Sequence, residues 1–529
     1  MDNYSGMDGT QLAIGDSVQL FLDNLLIEAT RDVTRRWYSP IKDEGLPLIK
    51  KDKPWENIPY FTYSNYCVLR DPRDNLFKCW YEDLKMSENE NFVRAIQYGT
   101  RQCYAQSEDG LKWYKPELTF LLEDGRKTNI VFGGDDRGGV HSAYVVIDPN
   151  PPREEERFRM MYTRYHPDET KGIYGHSIEC AYSSDGIHWS IYDKSPRFGI
   201  SKDQLDDVAL IHYDEDSKMF VMNTRHIHMY NANTQTVAPE ITGTLMTQWR
   251  SANGFALRGW RRIFQTRSSD FINWSNPILI ADVDDRYDNI DSSLYGMSQF
   301  KVGNTYLGFA GLFHVTDNTM DVVMLCSHDE MNWHRCYEGR PILQPRGKGY
   351  WDAYMNSLSS PPIEVGDEYW FFHGGTASHH DYWLMKGHED IDHPETKDPE
   401  KYARFGLGRA VLRKEGFASI HAGAVREGVF VTRALISEGT RLVINARCFS
   451  GGYILTEIAD QFNNIISETE KENCDPFTGD TVEHIVTWKG NNHIPNLKDD
   501  MLKSFSVRRI RFYIKNAEIF SFRIDRPEA

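Results

Sequence analysis

The sequence predicts an all-β protein: a five-bladed β-propeller followed by a C-terminal β-sandwich. Three observations support this fold class. A Ser-x-Asp-x-x-x-Trp unit recurs along the chain, short apolar runs precede each copy, and turn residues separate these runs where helical patterns are sparse. At 529 residues the chain is also longer than one ordinary hydrophobic core, which favours two domains or a fold built from repeats.

The recurring unit occurs four times in a clear form and once in a degenerate form. Ser and Asp side chains can bind backbone N–H groups in a turn, and Trp can fill the wedge between neighbouring sheets. We therefore interpret the unit as a structural device and not as a ligand-binding motif. The clear copies, SEDGLKW, SSDGIHW, SSDFINW and SHDEMNW, end at Trp113, Trp189, Trp274 and Trp333, and the degenerate copy RKEGF ends at Phe417.

Each copy predicts one sheet. An apolar run ends in an Asp-rich turn, a second run carries aromatic residues, and a third run leads into the Ser-x-Asp turn. Short runs with alternating or continuous apolar residues are typical of β-strands. A sheet of three or four strands cannot bury its faces alone, so five copies predict five sheets packed radially over residues 1–417.

The two ends of the chain complete the predicted architecture. The run SVQLFLDNLLIEA at 17–29 has no partners of its own, and we expect it to supply the outer strand of the fifth sheet and close the ring. Residues 418–529 contain alternating runs such as GVFVTRALI and TRLVINARCF without the recurring unit. These runs predict the β-sandwich domain.

Charge and cysteine content limit the classes of partner. The net charge of −17 disfavours binding to nucleic-acid phosphates or to anionic membranes, whereas neutral ligands such as sugars are unaffected by it.

The eight cysteines form no Cys-x-x-Cys pair, and we predict buried, reduced thiols. The N-terminus has no signal-peptide pattern, which predicts a soluble, cytoplasmic protein, or a secreted one if a signal has been removed. Oligomeric state is not predicted.

Candidate site residues follow from the predicted propeller. The first strand of each blade is predicted to be the innermost, so polar residues at its start are the candidates. The starts of the first strands contribute Tyr63, His141, Asp207, Asp291, Tyr295, Trp351 and Asp352, and the second strands add Glu82, Arg164, Arg225, His226, His314 and His373.

Glycoside cleavage explains this combination of residue types. One carboxylic acid protonates the leaving oxygen, and a second carboxylate activates water or attacks the anomeric carbon. The candidates for these catalytic roles are Asp207, Asp352, Asp291 and Glu82. The remaining residues are candidates for substrate binding, because aromatic rings offer a sugar a flat apolar face and Arg and His can bind its hydroxyl or carboxylate groups.

Each candidate also has a structural interpretation. The carboxylates can be solvated turn residues, and the histidines can be interior residues whose hydrogen bonds are satisfied. The acidic loop around Asp291 is a candidate for a structural calcium ion, and no other cofactor is predicted. No His-x-x-x-His pattern supports a metal site built from the histidines.

Several segments carry a family resemblance. The Ser-x-Asp-x-x-x-Trp turns resemble those of the five-bladed propeller glycosidases, the clan of family 43 arabinanases and xylosidases and family 32 invertases and levanases. The segments LFLDNLLIE, VLRDPRDNLFKCWYED, LYGM, GLGRAVLRKEGFASIHAG and CDPFTGDTVEHIVTWKG are similar to bacterial proteins with a family 32-like N-terminal domain. This resemblance covers most of the chain and implies a propeller, a β-sandwich and a carbohydrate-active enzyme.

The active-site motifs of invertases are not carried over with the resemblance. The sequence has no Asn-Asp-Pro-Asn-Gly motif, and alignment of the repeats places Arg70-Asp71-Pro72 at a hairpin turn. Glu179 in IEC falls on a third strand, where it matches the family acid weakly. The resemblance therefore implies glycosidase chemistry of the clan without implying activity on fructosides.

Three functions remain open at the level of the sequence. A glycoside hydrolase would use two or three of the four candidate carboxylates. A glycoside phosphorylase would use one Asp with a basic cluster that binds phosphate. A non-catalytic propeller that binds carbohydrate would retain binding after loss of Asp207 and Asp352. Dependence on phosphate separates the first two functions, and turnover separates both from the third.

Overall fold

The computed structural model describes residues 11–85, 100–133, 139–165, 176–198, 205–226, 261–289, 291–314, 317–380, 404–495 and 506–526. These ranges are nearly all β, as predicted. Their only helices are single turns of 3-10 helix at Glu154–Glu156, Tyr337–Gly339 and Lys471–Asn473. In these ranges no helix has the length and apolar character needed to cross a bilayer.

Short strands come first in the chain. They are β1 (Leu12–Ala13), β2 (Gln19–Leu20), β3 (Ile27–Arg31), β4 (Thr34–Trp37) and β5 (Ile41–Lys42). All five pair with strands that lie much later in the sequence.

Five sets of antiparallel strands follow in chain order. Sheet 1 contains β6 (Ile58–Tyr60), β7 (Tyr66–Arg70), β8 (Phe77–Leu84) and β9 (Thr100–Ser107), then, after the hairpin β10 (Leu118–Glu123) and β11 (Arg126–Thr128), β12 (Ile130–Gly133). Sheet 2 contains β13 (Val140–Ile147), β14 (Phe158–Tyr165), β15 (His176–Ser183) and β16 (Ser190–Ile191). Sheet 3 contains β17 (Leu205–Asp214), β18 (Met219–His226), β19 (Ile263–Ser268) and β20 (Ile278–Ala281).

The last two sets share a ladder. Sheet 4 contains β21 (Ser292–Val302), β22 (Thr305–His314), β23 (Thr319–Ser327), β24 (His334–Arg335) and β25 (Pro341–Leu343). Sheet 5 contains β26 (Met355–Ser357), β27 (Ile363–Val365), β28 (Glu368–Thr376) and β29 (Phe405–Arg413). A single parallel pairing of Met320 with Met355 joins the two sets.

Contacts between the sheets follow a cyclic order. β13 contacts the strands of sheet 1 and also β17, β17 contacts β21, and β23 contacts β26. β29 in turn contacts β6, so the fifth sheet meets the first. Apolar side chains fill these contacts. Phe372 and Leu407 of sheet 5 belong to one buried cluster with Ile58 and Tyr66 of sheet 1.

The Ser-x-Asp turns have the structural role predicted for them. Ser183 Oγ donates to Asp185 Oδ1 at 3.0 Å and accepts the backbone N–H of Gly186 at 2.8 Å. Asp185 Oδ1 also accepts the N–H groups of Ile187 and His188, both at 2.8 Å. The residue after each Asp has a left-handed backbone, with φ of 71° at Gly110, 78° at Gly186, 69° at Phe271 and 63° at Glu330.

These turns also connect neighbouring sheets. The Trp80 indole of sheet 1 donates to the carbonyl of Gly186 in sheet 2 at 2.6 Å. The Trp113 ring lies edge-on to Phe372 of sheet 5, with centroids 5.8 Å apart. The recurring unit therefore fixes a turn and presents apolar surface to the next sheet.

Replacing Ser183 with alanine should destabilise the protein by about 1–2 kcal/mol, because the buried N–H of Gly186 loses its acceptor. Unfolding in urea, followed by tryptophan fluorescence, would measure the midpoint. Ser190→Ala changes an exposed serine on β16 and should shift stability by no more than about 0.5 kcal/mol. Equal midpoints for the two variants would contradict the structural role of the turn.

The C-terminal strands form a ladder organised by two long strands. The strands are β30 (Ala418–Ala422), β31 (Gly428–Thr432), β32 (Leu435–Ser437), β33 (Arg441–Asp460), β34 (Asp480–Ile485) and β35 (Ser506–Asp525). β35 pairs with β33 along one edge, and with β32, β31, β30 and β2 in turn along its other edge. Ten strands therefore belong to one hydrogen-bonded ladder.

The prediction that residues 17–29 close the fifth sheet is wrong. β1–β4 join the C-terminal ladder, and β5 pairs with β29 instead, with Lys42 opposite Ala410. Apolar packing explains the difference, because the buried Phe21 ring lies 5.4 Å from Phe430 and 5.8 Å from Phe522. The apolar run thus contributes to the core of the C-terminal ladder, and two residues suffice to extend sheet 5.

The prediction of reduced thiols is correct for six of the eight cysteines. Cys326 on β23 and Cys336, ten residues later, form a disulfide. Of the six free thiols, only Cys448 is more than slightly exposed.

Candidate active site

Strand register places the predicted site residues along one edge of the sheets. Glu82 near the end of β8 lies opposite Tyr60, and His141 at the start of β13 lies opposite Thr163 near the end of β14. In sheet 4, Ser292 at the start of β21 lies opposite His314 at the end of β22. Asp207 and His226 lie at the corresponding ends of β17 and β18, but their side chains are outside the described residues.

A carboxylate and an imidazole from different sheets meet at this edge. Glu82 Oε1 lies 2.6 Å from His141 Nδ1. Glu82 Oε2 accepts the side-chain amide of Asn65 at 2.6 Å and the backbone N–H of Ser142 at 3.0 Å. A carboxylate acceptor pairs with an N–H donor, so we assign the Nδ1–H tautomer to His141.

Burial separates the roles of these two side chains. Glu82 has no exposed surface, whereas His141 is 7% exposed. Glu82, predicted as a catalytic residue, is therefore buried against His141, and its catalytic role stays a prediction.

Unusual backbone conformations flank the Glu82–His141 pair. Ser64, directly before Asn65, has φ of 62°, and Ser142, directly after His141, has φ of 50°. The Ser64 N–H donates to Ser359 Oγ of sheet 5 at 3.0 Å, which holds this conformation. Left-handed backbone at residues other than Gly costs about 1–3 kcal/mol and is concentrated at functional sites.

A second group of residues, which includes the predicted Arg225 and Tyr295, meets between sheets 3 and 4. The Arg225 guanidinium carbon lies 4.5 Å from the centroid of the Tyr295 ring, and that of Arg261 lies 4.9 Å from the same ring. His380 Nε2 lies 2.9 Å from the Tyr295 hydroxyl, and the His380 ring lies 4.8 Å from Phe313. We call Arg225, Arg261, Tyr295, Phe313 and His380 the cation–aromatic cluster.

Tyr63 connects the two groups. Its ring lies 6.4 Å from that of Tyr295, and its hydroxyl donates to the carbonyl of Phe309 at 3.3 Å. Asn65, which binds Glu82, lies two residues further along the same buried segment. The Glu82–His141 pair and the cation–aromatic cluster therefore flank one short stretch of backbone.

Asp352 lies in a different environment from Glu82. It is fully buried and binds two cations, Lys42 Nζ at 2.7 Å and Arg346 Nε at 2.6 Å. Burial alone would raise the pKa of Asp352, but the hydrogen bonds and charge of Lys42, with the hydrogen bond of Arg346, hold it below its ordinary value. An inaccessible carboxylate that neutralises two cations is typical of a structural ion pair.

Trp351 and His373 pack beside this ion pair. Their rings stack with centroids 5.4 Å apart and an interplanar angle of 16°. Burial, together with the positive charge of Lys42, lowers the pKa of His373 to about 3. His373 is therefore neutral near pH 7, and the role of both rings in substrate binding stays a prediction.

Arg164 and His314 are each hydrogen-bonded to a neighbouring carboxylate. Arg164 Nε donates to Glu179 Oε2 at 3.0 Å, and His314 Nε2 lies 2.9 Å from Asp321 Oδ2. Burial alone would lower the pKa of His314, but the hydrogen bond and charge of Asp321 raise it, with a further contribution from Asp291. The roles predicted for Arg164, His314 and Asp291 stay predictions.

The acidic loop near Asp291 binds arginines. Asp284 pairs with Arg286, and Asp288 pairs with Arg335. Among the described residues, no group of three or more His, Cys, Asp or Glu side chains could hold a metal ion.

The hairpin interpretation of Arg70-Asp71-Pro72 is confirmed. Asp71 follows β7, and its N–H donates to the carbonyl of Leu76 across the turn to β8. Burial alone would raise the pKa of Asp71, but hydrogen bonds from Arg157 and Lys78 to its carboxylate hold the pKa below the ordinary value. This residue is part of the turn and of the contact with sheet 2.

Sequence reasoning missed Asn65, Ser142 and Arg261. Arg261 could have been found, because third strands begin at the edge where second strands end and Arg261 precedes β19. Asn65 and Ser142 act through a side-chain amide and a backbone N–H, for which the sequence pattern has no signal. His380, which follows β28, is a further residue that sequence reasoning missed, and it is buried against Tyr295.

No protein-family model matches the chain, and no curated protein matches it. The chain is similar to solved structures of carbohydrate-active enzymes. A thermostable family-43 glycoside hydrolase is 12% identical with a TM-score of 0.39, over 67% of this chain and 91% of that chain. A β-1,2-mannobiose phosphorylase from Listeria innocua is 13% identical with a TM-score of 0.45, over 70% and 96%. An N-acetylgalactosamine deacetylase from F. plautii is 13% identical with a TM-score of 0.42, over 72% and 95%. Values this low do not argue for any one reaction.

Proposed function

We propose that the five sheets are the blades of a propeller and that the protein is a glycoside hydrolase whose reaction centre lies at the edge occupied by Glu82 and His141. The buried Glu82–His141 pair carries this proposal, because it joins an ionisable base to a fixed carboxylate between two sheets. The cyclic order of contacts between the sheets supports the propeller. The C-terminal ladder is proposed to fold into the predicted sandwich beside it.

The pair supplies one of the two proton transfers that hydrolysis needs. In the proposed reaction the glycosidic C–O bond breaks, and the leaving oxygen takes a proton from Asp207, the carboxylic acid predicted at the start of β17. A water molecule supplies the new C–O bond and loses a proton to Nε2 of His141. Glu82 stabilises the imidazolium that forms, because its carboxylate already binds Nδ1.

A phosphorylase is the second candidate, and the cation–aromatic cluster favours it. Two guanidinium groups on one tyrosine ring could bind inorganic phosphate, whose oxygen would then replace water as the attacking group. A propeller that only binds carbohydrate would show neither reaction.

The test is a panel of oligosaccharides incubated with and without phosphate, with products followed by NMR. We expect cleavage that does not require phosphate, and we expect Asp207→Asn to lower kcat/KM by about 100-fold or more. Asp216→Asn, which changes a carboxylate that is 70% exposed in the turn after β17, should leave kcat/KM unchanged. Sugar phosphates as products would identify a phosphorylase, and full activity of Asp207→Asn would remove Asp207 from the mechanism.

A further inference from the structure

Two arginines from sheet 3 share one aromatic ring of sheet 4. Arg225 lies near the end of β18, Arg261 precedes β19, and Tyr295 is on β21. Both guanidinium carbons lie within 5 Å of the Tyr295 ring centroid, at 4.5 Å and 4.9 Å. The Arg261 guanidinium also lies 5.5 Å from the Phe313 ring.

The neighbouring arginine shows what is unusual about Arg261. Arg262 is buried and pairs with Asp282 at 2.9 Å, as a buried cation normally requires. Among the described residues, no carboxylate lies within ion-pair distance of Arg261, which instead faces Tyr295 and Phe313. A half-buried guanidinium held on apolar rings is well placed to receive an anionic group.

The charge of the whole protein opposes the binding of anions, so local contacts have to supply the attraction. A net charge of −17 repels anions at long range, so the surface as a whole does not attract an acidic molecule. The positive charges of Arg225 and Arg261 can attract an anion only at short range, near the proposed site. The rings of Tyr295 and Phe313 are buried, so Arg261 is the one residue of the cation–aromatic cluster with more than slight exposure.

We propose that the cation–aromatic cluster binds the carboxylate of an acidic sugar, so that the substrate contains a uronic acid unit. The position of this subsite beside the reaction centre rests on the proposed function. The planar guanidinium of Arg261 matches a planar carboxylate with two parallel hydrogen bonds, whereas a lysine would offer only a point charge. His380, held on the Tyr295 hydroxyl, fixes the orientation of the ring on which the Arg261 guanidinium lies.

Binding of galacturonic acid and of galactose tests the proposal, because the two sugars differ only in whether carbon 6 is a carboxylate. Titration calorimetry on the full chain should show binding of galacturonic acid at least about 10-fold tighter than that of galactose, and weaker at high salt. Arg261→Gln should lose about 10-fold or more of the affinity for galacturonic acid, and Arg261→Lys should recover only part of it. Arg126→Gln, an exposed arginine on the β11 hairpin, is the matched control and should bind as the wild type does.

The outcomes separate this proposal from the proposed function. Equal affinity for the two sugars, no binding of galacturonic acid, or binding of inorganic phosphate alone would overturn the uronic acid subsite. Tight binding of galacturonic acid without cleavage of any glycoside would support the subsite and would contradict the hydrolase. Unfolding midpoints of the Arg261 variants that match the wild type would exclude a loss of binding through misfolding.

Discussion

Replacing Glu82 with glutamine is expected to lower kcat/KM by about 100-fold to 10,000-fold while the protein remains folded. The glutamine has the same shape as glutamate, but its amide is neutral. It therefore lacks the negative charge that would stabilise the imidazolium of His141. Its amide can also turn an N–H group toward Nδ1, which would move the imidazole proton to Nε2, the wrong nitrogen for a base. Initial rates on the oligosaccharide that the panel identifies would measure the loss.

A positioning role for Glu82 predicts an effect that a purely structural role would not produce. In 15N-labelled protein, the imidazole signals of His141 should show the Nδ1–H tautomer in the wild type and a changed tautomer in Glu82→Gln. Glu364→Gln, which changes a glutamate that is 52% exposed and paired with Lys414, should leave both rate and tautomer unchanged. An unchanged tautomer with full activity in Glu82→Gln would remove the pair from the mechanism.

The sequence predicted those parts of the fold that depend on local interactions. The turn at Ser183 and Asp185 is closed by hydrogen bonds within six residues, so the motif alone determines it. The pairing of β2 with β35 joins residues about 500 positions apart, and a two-residue strand carries no pattern that selects such a partner. The apolar run at 17–29 therefore predicted strand structure, but not its division into β2 and β3 or the ladder to which these two strands belong.

For the candidate site, too, the sequence predicted what depends on local interactions and not what depends on packing between sheets. The register of each hairpin predicts that Glu82 and His141 both lie at one edge, because each position depends on its own strands. Their contact depends on how two sheets pack, and the third donor to the carboxylate is a backbone N–H whose direction follows from the left-handed Ser142. Likewise, the partner of Asp352 is Lys42, 310 residues away on a strand whose pairing the sequence did not predict.

Asp352→Ala is expected to lower the free energy of unfolding by about 3 kcal/mol or more at pH 7, because it leaves Lys42 and Arg346 without their buried carboxylate. Urea unfolding would measure the change. Asp43→Asn removes a partly exposed partner of Arg409 near the same strand and should cost less than about 1 kcal/mol. Lys42→Met combined with Asp352→Ala should recover part of the loss, because the uncompensated ammonium is then absent.

The pH dependence of this loss distinguishes an ion pair from simple packing. The pKa of Asp352 is lowered in the folded protein by Lys42 and Arg346, so its contribution to stability is present above the unfolded value of about 3.9. Below that value the unfolded chain takes up a proton first, and the contribution is lost as the pH falls through the folded pKa. The difference between wild type and Asp352→Ala should therefore be largest near neutral pH and should shrink in acid. A variant as stable as the wild type at every pH but without turnover would instead support the catalytic role predicted for Asp352 from the sequence.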